Sequence, residues 1–313
     1  MTTPDRATTE RECLLTVDGP FSLPLMLASV LRRANDAVDL VIGEEYRRLL
    51  VHAGRPFLLR VGGGEASDRV RLILRGIDQP PDEAAMEFAE QSVRRLFCLD
   101  HSPGPFYAHV REDPVLGSLA GKLAGMRPLG SPNVFEMLVI AILGQQISMI
   151  AAGAIKARLV GALGAAAQFD ERLYRAFPTP EALAGATNDQ YLAVAFSRRK
   201  AEYARDLATQ VANGELDLEA FRGRPHLEIL DRLLALRGIG RWTAEYVLLR
   251  GYGYPDALPA GDAGLRRQIA RYYHLDPAPT EAEIMARAEP WTPYRSWATL
   301  YLWNADLEHR ASG

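Results

Sequence analysis

The chain has 313 residues, 48% hydrophobic and 24% charged, with a formal net charge of −3. This is ordinary globular composition with room for two or three domains. No run approaches the ~18 apolar residues of a membrane span. Two cysteines, Cys13 and Cys98, are too few for a disulfide framework or a four-cysteine metal or iron–sulfur site.

The six histidines are scattered without ligand spacing, so neither a metal nor a cofactor is expected. A slightly acidic chain is a poor nonspecific coat for nucleic acid. A local basic face or backbone N–H groups can still bind phosphate.

In chain order, "MTTPDRATTERE" is polar and lacks the apolar stretch of a secretory signal. It reads as a short disordered lead on a cytoplasmic protein. "ECLLTVDG" is strand-like, and Ser22–Arg33 has the three-and-four spacing of a helix. "VDLVI", "YRRLLVHA", "PFLLRVGGG" and "RVRLILRGI" follow as short runs between Gly, Pro and Asp, the pattern of antiparallel strands. Gly62–Gly64 fits a hairpin turn better than a phosphate loop, because no helix-opening G-x-G-x-x-G pattern surrounds it. Pro81–Leu99 is a helix with acids at its start and arginines toward its end. Residues 1–112 are thus expected to form a small α+β domain.

From Asp113 onward helical patterns follow one another, joined by short Pro, Gly or Asp loops, and no strand is expected. Residues 113–313 read as an all-α bundle.

Within it, "LRGIGRWTAEY" (Leu236–Tyr246) places two glycines inside a helical pattern, each costing roughly 1 kcal/mol against alanine. Two helices joined by a tight Gly-Ile-Gly turn would explain them. Gly238 and Gly240 would free the backbone, Ile239 would pin the helices, and Thr243 and Ala244 are small enough for close packing. The N–H groups opening the second helix could then bind an anion such as a DNA phosphate. A plain helix–helix turn is the competing reading.

Asp262, in "LPAGDAGLRRQIARYY", precedes the next helix. It is either a simple N-cap or a carboxylate aimed into a cleft. Trp242 and Tyr246 share one helix face. "SRRK" (Ser197–Lys200) is either a solvated helix start or a phosphate-facing patch, and Arg295 reads as structural.

The hairpin followed by a Gly/Pro-rich loop ending in Asp resembles the helix-hairpin-helix, glycine/proline-rich, aspartate (HhH-GPD) superfamily of DNA glycosylases. "FEMLVIAILGQQIS" (Phe135–Ser148) and "WTPYRSWATLYLW" (Trp291–Trp303) are similar to the AlkA-like 3-methyladenine DNA glycosylase II branch.

The resemblance implies an N-terminal domain like half of a TATA-binding-protein fold, then two helical subdomains with a cleft between them. It implies release of 3-methyladenine and 7-methylguanine from double-stranded DNA in base excision repair. It places the catalytic aspartate at Asp262, and a base pocket at Trp242, Tyr246 and Trp291. It puts DNA contacts at Gly238, Ile239, Gly240 and Thr243, and a wedge at Gln146 where some relatives have leucine.

Strand-cutting relatives carry a lysine where this chain has Trp242, and no lysine follows Lys200. A monomeric, monofunctional hydrolase without lyase activity is therefore expected. Action on hypoxanthine, ethenoadenine or oxidised bases, or DNA binding without catalysis, remain the alternatives.

Overall fold

The computed structural model describes residues 9–32, 36–64 and 68–310. Most of the polar lead lies outside them, as do Arg33 and residues 65–67. Gly62 and Gly63, expected in a hairpin turn, instead end the strand Arg55–Gly63, paired with Arg71 and Val70. The last residues of the lead, from Glu10, belong to a strand rather than to a disordered segment.

Five antiparallel strands, β1 (Glu10–Thr16), β2 (Leu40–Ile42), β3 (Glu45–His52), β4 (Arg55–Gly63) and β5 (Arg69–Arg75), form one sheet in the order β1-β5-β4-β3-β2. Ala53 and Gly54, both at positive φ (48° and 74°), make the tight turn joining β3 to β4. Side chains alternate between the two faces. Phe57, Leu59 and Val61 enter the main core, while Leu58 and Leu49 point to the opposite face. The inner face is covered by α1 (Leu23–Leu31) and α2 (Glu83–Phe97). Asp82 caps α2 by accepting from the Ala85 N–H, and Cys98, left-handed at φ 51°, ends it.

The helical part comprises α3 (Gly104–His109), α4 (Leu116–Lys122), α5 (Val134–Gly144), α6 (Met149–Leu163), α7 (Pro180–Gly185), α8 (Asn188–Ala193), α9 (Arg198–Ala212), α10 (His226–Leu234), α11 (Arg241–Arg250), α12 (Ala263–Tyr272), α13 (Glu281–Arg287) and α14 (Arg295–Asn304). The expectation of no strand here was wrong. β6 (Ala166–Phe169) and β7 (Arg172–Arg175) pair as a hairpin around Asp170, at φ 54°. Only four residues long each, they show too little alternation to stand out from the flanking helical patterns. Tertiary packing stabilises them: Ala167, Phe169 and Tyr174 cover Leu49 and Leu58 on the outer face of the N-terminal sheet.

Buried charge also joins the sheet to the helices. Arg48 on β3 bonds Asp39 (2.6 Å) and Glu136 on α5, while Lys156 on α6 reaches Asp36 (2.9 Å) and Asp39 (3.3 Å). Such groups are costly to bury and stay charged only because each meets its opposite.

Two hydrophobic clusters organise the rest. One combines the sheet, α1 and α2 with α3, α4 and the C-terminal helices α12–α14. The other is built from α5 to α11. The last three helices therefore return to the N-terminal core, which sets the start of α12 against α11. Trp303 packs against both clusters, and so marks the seam.

Candidate active site

The seam is shaped first by the turn between α10 and α11. Gly238 adopts φ 84°, and a Cβ there would lie 2.2 Å from the Tyr203 ring, so both conformation and space require glycine. Gly240 is different. Its φ is −95°, and a Cβ would meet nothing within 4 Å. The protein itself makes no demand for glycine there, and the bare backbone faces open space. Gly240 is the N-cap of α11 and no side chain caps that end, so first-turn N–H groups are left for solvent or an anion.

Ile239 is buried between the helices, as the sequence suggests. Thr243 needs correcting. Its side chain is 2% exposed and its hydroxyl accepts from Gln145 Nε2 at 3.1 Å, so it braces the turn from within and presents no hydroxyl to DNA.

The loop between α5 and α6 lies against this turn. The helical pattern through residues 134–163 is interrupted at Gln145–Ser148. Gln145 donates to Gly238 O (2.9 Å) as well as to Thr243. Lys200 donates to the carbonyls of Leu143 (2.8 Å) and Gln145 (2.7 Å), and burial lowers its pKa. Lys200 is thus a strut for this loop, while Arg198 and Arg199 are exposed at the start of α9. With the loop held from behind, Gln146 is exposed at φ 59°.

Asp262 opens α12. Its Oδ1 accepts from the Leu265 N–H at 2.7 Å, so it is an N-cap. Two indole N–H groups also converge on it: Trp303 Nε1 on Oδ1 at 3.0 Å and Trp242 Nε1 on Oδ2 at 3.2 Å. Among the described residues no Lys, Arg or His pairs with it. Gly264 keeps this arrangement open, since a Cβ there would stand 2.9 Å from Asp262 Oδ1.

Trp242 stacks on Tyr246 (centroids 5.4 Å, interplanar 25°), and Tyr246 lies 6.0 Å from Trp303. The Arg250 guanidinium sits over Tyr246 and Trp303 at 5.6 and 5.3 Å and donates to Leu129 O at 2.6 Å, fixing the rings. All three aromatic residues and Asp262 are half-buried. Chemically this is an anion held by neutral donors beside aromatic surface, suited to a cationic, planar guest.

Trp291 is not part of it. It is 2% exposed inside the N-terminal core, with Tyr273 as its ring neighbour at 6.4 Å and Asp113 3.4 Å from its Nε1. The third aromatic is Trp303, from the other end of the same quoted segment. Trp291 lies just before α14 and Trp303 in its last turn, and only tertiary packing separates their roles. Gln145 and Gly264 also went unremarked in the sequence. A Gln pair ending an apolar run, and a glycine two residues after the capping Asp, were the available signals. Arg295 is structural as expected, forming a two-pronged pair with Asp256 at 2.8 and 2.7 Å.

Residues 139–293 match the family of HhH-GPD superfamily base excision DNA repair proteins. The chain is 34% identical to the DNA-3-methyladenine glycosylase of Bacillus subtilis over 225 residues, covering 72% of this chain and 74% of that protein. It is 34% identical to DNA-3-methyladenine glycosylase 2 of Escherichia coli over 289 residues, 91% of this chain and 94% of that one. Its fold is similar to the solved 3-methyladenine DNA-glycosylase from Archaeoglobus fulgidus, with a TM-score of 0.82 and 26% identity, over 94% of this chain and 98% of that one.

Proposed function

The chain belongs to the AlkA-like DNA-3-methyladenine glycosylases of the HhH-GPD superfamily, and we propose that it is a monofunctional hydrolase of alkylated bases. Its substrates are 3-methyladenine and 7-methylguanine in double-stranded DNA, released by cleavage of the N-glycosidic bond. The observation that carries this reading is the Asp262 carboxylate, held by the indoles of Trp242 and Trp303, with no ion pair to it among the described residues.

A base stacked in a duplex cannot reach such a site and must be flipped out. The uncapped start of α11, behind Gly238-Ile239-Gly240, holds a backbone phosphate without reading sequence. Gln146 enters the gap the base leaves. As the glycosidic bond breaks, positive charge develops on the sugar. Asp262 stabilises that charge and orients the attacking water. Trp242, Tyr246 and Trp303 favour a positively charged alkylated purine, each by roughly 0.5–2 kcal/mol.

A strand-cutting lyase needs an amine at the sugar. Trp242 stands in the hairpin where an amine would serve. Of the three lysines, Lys200 is held by backbone carbonyls, Lys156 is buried with Asp36 and Asp39, and Lys122 lies on α4.

The test is base release from methylated duplex DNA, with the freed bases separated by chromatography and the strand run on a gel with and without alkali. Release of 3-methyladenine or 7-methylguanine, with strand breaks only after alkali, is expected. Breaks in neutral buffer would contradict the monofunctional reading. Tight binding without release would contradict catalysis.

A further inference from the structure

The two most exposed large apolar side chains among the described residues are neighbours. Met149 is 76% and Ile150 71% exposed, and Ile147 beside them is 38% exposed. Met149 and Ile150 open α6, Ile147 lies just before it next to Gln146, and no described residue covers them. Three observations say what does.

The loop that carries them is fastened to the phosphate-binding turn, through the Gln145 amide on Gly238 O and Thr243 Oγ1. Lys200 fixes the same loop from the other side. The apolar surface is therefore continuous with the hairpin face and held rigid with it. From Gly144, where α5 leaves the core, to Phe169, moreover, the chain carries no carboxylate, although Asp and Glu number 39 in 313 residues. A surface that meets a polyanion sheds its acids, whereas an ordinary solvated helix face has no reason to.

We propose that Met149 and Ile150, with Ile147, form an apolar shelf that lies against the minor groove of the duplex beside the flipped base. Apolar side chains of this kind press on base steps and hold a duplex bent open. Gln146 is polar. Its amide can pair with the orphaned base but gains little from stacking, and the shelf supplies the apolar contact that Gln146 lacks. This inference rests on the glycosylase reading for its partner, but it concerns binding rather than bond cleavage.

The test is equilibrium binding of the full chain to a duplex with a central abasic-analogue site, over a salt series. Met149→Ser/Ile150→Ser should bind on the order of tenfold more weakly. The slope of log affinity against log salt should stay as in the wild type, because no phosphate contact is lost. Met149→Leu/Ile150→Val, which keeps the apolar surface, should bind like the wild type. Both residues are exposed, so the melting temperature of either variant should be unchanged.

Wild-type affinity in the serine variant, or a loss accompanied by a shallower salt slope, would overturn the shelf. A wild-type chain that binds this duplex but releases no base would overturn the catalytic reading and leave this test intact.

Discussion

Asp256 and Asp262 stand in one loop between α11 and α12, and the protein treats them in opposite ways. Asp256 is gripped by the Arg295 guanidinium at 2.8 and 2.7 Å and also accepts the Arg295 N–H at 3.1 Å. Its charge is cancelled where it is made. Asp262 receives only neutral donors, two indoles and one backbone N–H. Its position is fixed as firmly, but its charge is left for a guest. A carboxylate neutralised by a fork of hydrogen bonds ties the loop to α14, and one oriented by uncharged groups can act on a cation.

That contrast can be broken most severely at Asp262. Asp262→Asn should lower base release at least about 10³-fold, because it removes the charge while keeping the shape. Binding to an abasic-analogue duplex should persist. Single-turnover release assays beside a binding titration check both. The two tryptophans extend the contrast. Trp291→Ala, deep in the N-terminal core, should cost about 3 kcal/mol of stability in urea unfolding. Its effect on release should vanish at temperatures where the variant stays folded. Asp256→Asn should behave in the same manner with a smaller loss, about 2 kcal/mol, since it leaves the Arg295 fork partly unpaired. Trp303→Phe keeps an aromatic face but deletes one N–H from Asp262. Release should fall on the order of tenfold, with little change in melting temperature.

Much of this was legible in the sequence, and the misses have a common cause. The N-terminal sheet could be read because its strands are separated by Gly, Pro and Asp and alternate over seven to nine residues in β1, β3, β4 and β5. Asp262 and the Gly238–Gly240 turn could be read because local chemistry fixes them: a cap before a helix, and a left-handed residue between two. The β6–β7 hairpin, the displacement of Trp291 by Trp303 and the inward turn of Thr243 depend on contacts between distant segments. No local spacing records that Ala167 lies on Leu58, or that α14 brings its far end to α12.

The smallest effect concerns the end of the chain. Burial alone would raise the pKa of Asp306, but hydrogen bonds from Gln268 and Tyr272 and the charge of Arg271 lower it overall. A depressed carboxylate contributes stability above its unfolded pKa and loses it as pH falls through the folded value. Replacing Asp306 with Asn should therefore reduce stability at neutral pH, and the difference from wild type should shrink as pH falls below the ordinary carboxylate range and through the lowered folded value. Thermal melts at several pH values would show this.

The most direct test of the division between the two carboxylates is a binding comparison. Two duplexes would be used, one with a protonated pyrrolidine ring in place of the damaged nucleotide's sugar and one with a neutral abasic analogue. The wild type should prefer the cationic ring, as a mimic of the developing charge, and Asp256→Asn should keep that preference. Asp262→Asn should bind both duplexes equally. If Asp262→Asn still prefers the cationic ring as strongly as the wild type, Asp262 is not the group that meets the charge.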